Sequence, residues 1–152
     1  TQELIEHTVL TAHQALQCDL GMNDPHLLVC GLNPHAGDDG LLGHEDKAVI
    51  QPAVTALSAQ GLNVSGPVSA EAAFLAATRG QTDMVIAMYH DQGLAPLKAL
   101  TFGRSVNWTL GLPIIRVSVD HGTAYDLVGR GLADAGSMSA ALTLASRLVA
   151  KA

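Results

Sequence analysis

Short apolar runs alternate along this chain with longer amphipathic segments, and that alternation leaves few folds open to it. Leu27-Leu28-Val29-Cys30-Gly31-Leu32 and Asp83-Met84-Val85-Ile86-Ala87-Met88 are of strand length, and neither shows the polar alternation of a strand with one wet face. Runs of this kind belong in a sheet covered on both sides, as parallel strands are when their crossover helices pack above and below. The 83–88 run is the clearest such strand.

The segments between them read as helices and turns. Ile5, Val9, Ala12, Leu16 and Leu20 fall on one helical face, with Gly21 as a stop. Glu45 to Gln60 has helical periodicity with acids in its first turn and a kink or split expected at Pro52. Leu62 to Ser65 reads as an edge strand, and Ser69 as the N-cap of a helix to about Arg79. A helical stretch from Gln92 to Leu100, interrupted by Pro96, precedes two strands, Ser105–Leu110 and Ile114–Val119, joined by a Gly111-Leu112-Pro113 turn. Helices close the chain over Ala124–Gly129 and Ser137–Lys151. The expected fold is α/β, a mostly parallel sheet flanked by helices with an antiparallel member at the short turn.

At 152 residues and 48% hydrophobic, the chain is expected to form a single α/β domain over 1–152, burying roughly 70% of its unfolded surface. Fourteen acids against eight bases give a net charge of −6, which argues against a nucleic-acid-binding surface. Cys18 and Cys30 have neither the density nor the spacing of a disulfide framework or zinc knuckle, so both are expected to be buried free thiols. With no apolar stretch near the roughly 20 residues that cross a bilayer and no signal-peptide pattern at the start, the expected setting is cytoplasmic. Because Thr1 enters a helical pattern almost at once, the chain is expected to begin partway through a larger protein.

Chemistry concentrates in loops that follow strands, where open α/β sheets bind ligands. His35, in Gly31–Gly37, and His90, in Tyr89–Gly93, each follow an apolar strand and have glycine neighbours that permit close backbone approach. Two imidazoles carried to one sheet edge can share a metal ion, and ligands on loops leave coordination positions open for water or substrate. His7, His13, His26 and His44 lack that setting and read as surface or hydrogen-bonded residues. Lys98, Arg104, Arg116 and Arg130 are four of the eight cations, which makes an anionic ligand such as a phosphate or carboxylate the natural guest. Arg130 reads as an ordinary solvated charge, whereas Arg116 sits inside an apolar run and needs solvent or a partner. Asn107, also within a strand, can both donate to and accept from a small substrate. The segment Val119–Gly131 joins a strand to a helix and offers Gly122 and Thr123 to a phosphate or ribose hydroxyl. The residues alone slightly favour a plainer reading, a capped helix start with His121 packed against it. No G-x-G-x-x-G follows any strand.

The stretches GLNPHAG, MYHDQGLAPLK and FGRSVNWTLGLPIIRVSVDHGTA, with the DLVGRG that follows, resemble the 4-hydroxythreonine-4-phosphate dehydrogenase family of pyridoxal phosphate biosynthesis. The likeness runs from about His26 to the C-terminus. It implies one domain of a two-domain subunit related to the isocitrate and isopropylmalate dehydrogenases, with 137–152 a closing helix that packs on the other domain. It implies a homodimer whose site lies near the dimer interface, acting on a small phosphorylated substrate with NAD, or NADP as an alternative, and a divalent metal such as zinc, magnesium or cobalt. Neither nucleic acid nor membrane is an implied partner. Carried across residue by residue, His35 and His90 match metal ligands, and Lys98, Asn107 and Arg116 match substrate-binding positions. His121, Gly122, Thr123 and Asp126 match the nucleotide-binding loop of the isopropylmalate dehydrogenases. No catalytic acid or base is assigned. The family's third metal histidine and a substrate-holding His-Thr pair belong upstream of position 1, so this piece alone is expected neither to hold metal tightly nor to turn over substrate. Related enzymes act on phosphorylated four-carbon sugar acids or on an aromatic cis-dihydrodiol carboxylate, and these motifs do not separate the substrates. A non-catalytic metal- or nucleotide-binding module is the reading from a different class.

Overall fold

The computed structural model describes residues 1–101 and 103–151; the last position of the closing segment expected over 137–152 lies outside them. Where one domain was expected, the chain divides into two compact units, Thr1–Pro96 and Leu97–Ala152. The division falls at Pro96, inside a helix, where the missing backbone donor interrupts the hydrogen-bond ladder.

The first unit opens with α1 (Gln2–Cys18), capped by the Thr1 hydroxyl, which accepts from the Leu4 amide at 3.3 Å. Val9, Ala12 and Leu16 form its buried stripe, as the periodicity predicts. Cys18 is exposed, correcting the expectation that both thiols are buried. At about 100° per residue it lies half a turn round from Val9, on the outward face. Strand β1 (Leu27–Cys30) follows and is buried along its whole length. After it come α2 (Gln51–Ala59), β2 (Val64–Val68), α3 (Ala70–Thr78), β3 (Met84–Ile86) and α4 (His90–Thr101).

The three strands form a parallel sheet in the order β2-β1-β3, with Leu27 opposite both Val64 and Met84. The strand covered on both faces is therefore β1, not the 83–88 run. β3 lies at an edge, and of its residues only Ile86 is buried. Leu28 and Cys30 pack with Ala73 of α3, while Leu27 and Val29 are fully buried on the opposite face. Ser69 caps α3 as expected, its hydroxyl accepting from the Ala72 amide at 3.3 Å. The expected disruption near Pro52 takes the form of a π-helical turn, Asp46–Ile50, leading into α2. There the Gln51 amide reaches back five residues to the Asp46 carbonyl.

The second unit holds an antiparallel ribbon of β4 (Val106–Thr109) and β5 (Arg116–Val119), packed on α5 (Gly136–Val149). This ribbon is a separate two-stranded sheet rather than a member of the parallel one. The helix expected over Ala124–Gly129 is a single 3-10 turn, Tyr125–Leu127, entered through Ala124 at φ 48°. Positive φ at Ala124, Gly129 and Gly131 prevents a regular helix from propagating there. No helix among the described residues is long and apolar enough to cross a membrane.

Candidate functional site

Because β1 and β3 are parallel neighbours, both end at the same edge of the sheet. The backbone leaving β1 enters the segment that carries His35, and the backbone leaving β3 reaches His90. His90 does not sit in a loop, as expected, but opens α4. Gln92, on the first turn of that helix, binds the two strand ends together. Its Nε2 donates to the Gly31 carbonyl at 2.7 Å, and its Oε1 accepts from the Met88 amide at 2.7 Å. The His90 side chain is exposed, and its Nδ1 lies 2.8 Å from Asp91 Oδ1. With Nδ1–H donated to the carboxylate, the Nε2 lone pair is left for a ligand, the arrangement common behind metal-binding histidines.

His35 lies in a run of left-handed backbone, with φ of 53° at His35, 53° at Ala36, 83° at Gly37, 43° at Asp38 and 54° at Asp39. Non-glycine residues in that region cost on the order of 1 kcal/mol or more each, so neighbouring structure must hold them there. Asp46, at the start of the π turn, fixes the backbone that leads into this run. Its carboxylate is 3% exposed. Oδ1 accepts from the Leu32 amide at 2.8 Å, and Oδ2 accepts from the Asn33 amide at 3.1 Å and from Asn33 Nδ2 at 3.0 Å. Gly31 makes the close approach possible, since a Cβ there would stand 2.6 Å from Asp46 Oδ1. Asn33 Nδ2 also donates to Glu45 at 2.8 Å, holding that carboxyl below its usual range. Further out, Lys47 donates to Asp39 at 2.6 Å and lowers that carboxyl in the same way.

The donor set at this edge fits a divalent ion in its chemistry, with two imidazoles from adjacent strand ends and a carboxylate orienting one of them. Among the described residues, no group of three or more His, Cys, Asp or Glu side chains is gathered to hold a metal.

In the second unit a cleft of ≈ 370 Å³ is lined by residues that include Lys98, Ser105, Asp120, His121, Gly122 and Ser137. It brings together Lys98, expected to bind substrate, and His121 and Gly122, expected to bind nucleotide. Asp120 organises its wall. The Lys98 ammonium lies 3.4 Å from the Asp120 carbonyl and 3.8 Å from its Oδ1. Ser105 Oγ donates to Asp120 Oδ2 at 2.5 Å, and the Asp120 amide donates to Ser137 Oγ at 3.0 Å. Ser137 Oγ in turn donates to the Ser105 carbonyl at 2.7 Å, closing the network. A Cβ on Gly122 would meet nothing within 4 Å, so the backbone there is open to an approaching group.

Asn107 and Arg116 sit on the ribbon. The register pairs Asn107 with Ser118 and Thr109 with Arg116, which places both candidates on one face of β4 and β5. Arg116 is exposed and donates to Thr109 Oγ1 at 2.7 Å, so the lone cation of an apolar run has both solvent and a partner. Thr123 and Asp126 are exposed on the segment beyond Gly122. His26, read as an ordinary hydrogen-bonded residue, bridges the Gln81 carbonyl at 3.0 Å and Ser65 Oγ at 2.8 Å.

Sequence reasoning missed Asp46, Gln92, Asp120, Ser105 and Ser137. Gln92 and Asp120 stand inside the recognisable motifs, but the histidines beside them are chemically more conspicuous. Asp46 reads only as one of the acids in a first helical turn, and nothing local to it signals that it reaches back to residues 32 and 33.

The chain matches the family model described as pyridoxal phosphate biosynthetic protein PdxA over residues 1–145. A 4-hydroxythreonine-4-phosphate dehydrogenase of Shewanella denitrificans is 50% identical over 99% of the chain and 46% of its own length. The crystal structure of a 4-hydroxythreonine-4-phosphate dehydrogenase from Klebsiella pneumoniae superposes with a TM-score of 0.85 at 43% identity, covering 97% of this chain and 45% of that one. A terephthalate 1,2-cis-dihydrodiol dehydrogenase from Burkholderia xenovorans has a TM-score of 0.74 at 35% identity, covering 96% of this chain and 46% of that one. The chain thus spans just under half the length of the relatives it matches.

Proposed function

The chain belongs to the pyridoxal phosphate biosynthetic protein PdxA family, and from that premise we propose that the protein carrying it is an NAD-dependent 4-hydroxythreonine-4-phosphate dehydrogenase. It oxidises 4-phosphooxy-L-threonine with decarboxylation to 3-amino-2-oxopropyl phosphate, an oxidoreductase step of pyridoxal phosphate biosynthesis. The observation that carries this reading is the pair of histidine-bearing strand ends, β1 and β3, joined side by side through Gln92. Identity of 43% and 46% to solved structures named for this activity, against 35% to that of the cis-dihydrodiol dehydrogenase, favours the phosphorylated substrate.

His35 and His90 would hold the divalent ion, with the remaining ligand supplied outside this chain. The chemistry supplied there would be polarisation of the substrate hydroxyl by the ion and, with NAD bound, an acceptor for the hydride of the hydroxyl-bearing carbon. The chain's own residues bind and orient. Asp91 holds the His90 ring by its Nδ1–H. Lys98 and Arg116 neutralise the substrate's phosphate and carboxylate, and Asn107, on the same ribbon face as Arg116, fixes its polar atoms. His121, Gly122, Thr123 and Asp126 contact the nucleotide, whose phosphates can approach the open backbone at Gly122. NADP is the alternative cofactor, and zinc, magnesium and cobalt are the candidate ions.

The assembly is a homodimer working in the cytoplasm. On α5, Met138, Leu142 and Val149 form an exposed apolar stripe, which supports a covering surface in the complete protein. Light scattering of the full-length protein should give twice the subunit mass.

The deciding experiment supplies the full-length protein with NAD, divalent metal and, separately, 4-phosphooxy-L-threonine, a phosphorylated four-carbon sugar acid and an aromatic cis-dihydrodiol carboxylate. NADH formation is expected with the first. Turnover confined to either of the others reassigns the substrate, and an inert full-length protein leaves the binding-module reading in its place.

A further inference from the structure

The candidate site contains one carboxylate that can serve neither as an open ligand nor as a surface charge. Asp46 is 3% exposed and takes three N–H groups, those of Leu32, Asn33 and the Asn33 side chain. These donors lie immediately before Pro34 and His35. Pro34 has a fixed φ and no donor of its own, so the direction of the chain at Asn33 is transmitted to His35 with little freedom. Beyond it the turn is closed by backbone bonds, among them Ala36 N to Asn33 O at 3.1 Å and Leu42 N to Gly37 O at 3.0 Å, and at its far end by the bond from Lys47 to Asp39. At the entrance to the left-handed run, on the His35 side, the backbone is referenced to the protein through Asp46.

We infer that Asp46 is a positioning residue for the metal site, setting the direction of the His35 ring through Asn33 and Pro34. The inference rests on the proposed role of His35 as a metal ligand. A carboxylate is needed because both oxygens face donors; in Asp46→Asn the amide NH2 would oppose an N–H whichever way it turned.

The test uses the full-length protein stripped of metal and titrated with zinc by calorimetry, alongside hydrogen exchange of the peptide spanning residues 31–37. Asp46→Asn should weaken zinc binding at least tenfold, within the roughly 10- to 100-fold range of groups that orient metal ligands, and should speed exchange in that peptide. Asp83→Asn is the control for a purely structural loss. Asp83 accepts from the His26 amide at 2.8 Å, at the end of the sheet where β1 and β3 begin. Its replacement should lower the melting temperature and leave zinc affinity unchanged. Should Asp46→Asn fail to fold, Asn33→Ala keeps both backbone N–H bonds to Asp46, removes the 3.0 Å side-chain bond together with the exposed one to Glu45, and should weaken zinc binding in the same direction by a smaller factor. A folded variant with faster exchange and wild-type zinc affinity overturns the inference. His35→Ala separates the two failures. If it loses zinc while the Asp46 and Asn33 variants do not, the positioning role alone is wrong; if it binds zinc normally, the metal role of His35 falls and the inference with it.

Discussion

Gln92 and Gly31 are sixty-one positions apart, yet the Gln92 amide donates to the Gly31 carbonyl at 2.7 Å in a buried bond that ties the ends of two parallel strands. The same side chain accepts from the Met88 amide, so one residue satisfies backbone groups of both strands that lead to the proposed metal histidines.

Gln92→Ala should leave both backbone groups without their partner and destabilise the protein by about 2–6 kcal/mol, from roughly 1–3 kcal/mol for each orphaned group. Gln92→Glu is the sharper variant: it keeps an acceptor for Met88 but sets a carboxylate oxygen against the Gly31 carbonyl. Urea denaturation of the two variants should show both destabilised. A wild-type unfolding midpoint for Gln92→Glu would mean that the bond to Gly31 contributes nothing.

The alternation of apolar and amphipathic runs made the α/β class and most element positions legible, because burial imposes its period directly on sequence. It favours the 83–88 run as the clearest strand covered on both faces. Only the pairing order, a non-local property, puts β1 between the other two. Ala124–Gly129 failed as a helix for a local reason, since three residues of that neighbourhood adopt positive φ. At the site, His35 and His90 stood out because histidine after an apolar strand is chemically conspicuous. Asp46, Asp120 and Ser137 did not, because each acts through bonds to residues 13 to 32 positions away in sequence.

Lys98 should prove dispensable for folding and important for binding. Its ammonium is 3.8 Å from Asp120 Oδ1 and its side chain is 54% exposed, so the pair is screened and contributes at most a few tenths of a kcal/mol, as surface pairs do on the order of 0–1 kcal/mol. Opposite a phosphate or carboxylate, the same ammonium makes a charge-assisted bond of about 1.5–3 kcal/mol. Lys98→Ala in the full-length enzyme should therefore keep its melting temperature and raise the substrate KM by roughly 10- to 100-fold. A KM within twofold of wild type would remove Lys98 from the binding set.

Ser137→Ala, unlike Lys98→Ala, should cost stability as well as binding. The hydroxyl is 3% exposed and bonds both the Asp120 amide and the Ser105 carbonyl. Its loss strands two backbone groups and loosens the Asp120–Gly122 turn, at a cost of about 2 kcal/mol or more. Thermal unfolding should register the loss, and nucleotide affinity measured by fluorescence titration should fall with it. Replacement by glycine should be no milder, because the missing hydroxyl accounts for the defect.

Cys30 predicts an alkaline limit to stability. Burial in β1 pushes its thiol up from 9.0 to about 11, because the thiolate cannot be solvated there. Between those values the unfolded chain loses this proton while the folded chain retains it, so the folded state binds more protons and unfolding becomes more favourable as pH rises. The contribution is intact below about pH 9 and lost as pH climbs toward 11. Cys30→Val, which fills a similar volume without a titrating group, should flatten the part of this decline that begins near pH 9 in urea-denaturation midpoints. In the same native protein, iodoacetamide at neutral pH should label the exposed Cys18 and spare Cys30. Rapid native-state labelling of Cys30, or an unchanged alkaline decline in the valine variant, would show that the thiol is not held protonated by the fold.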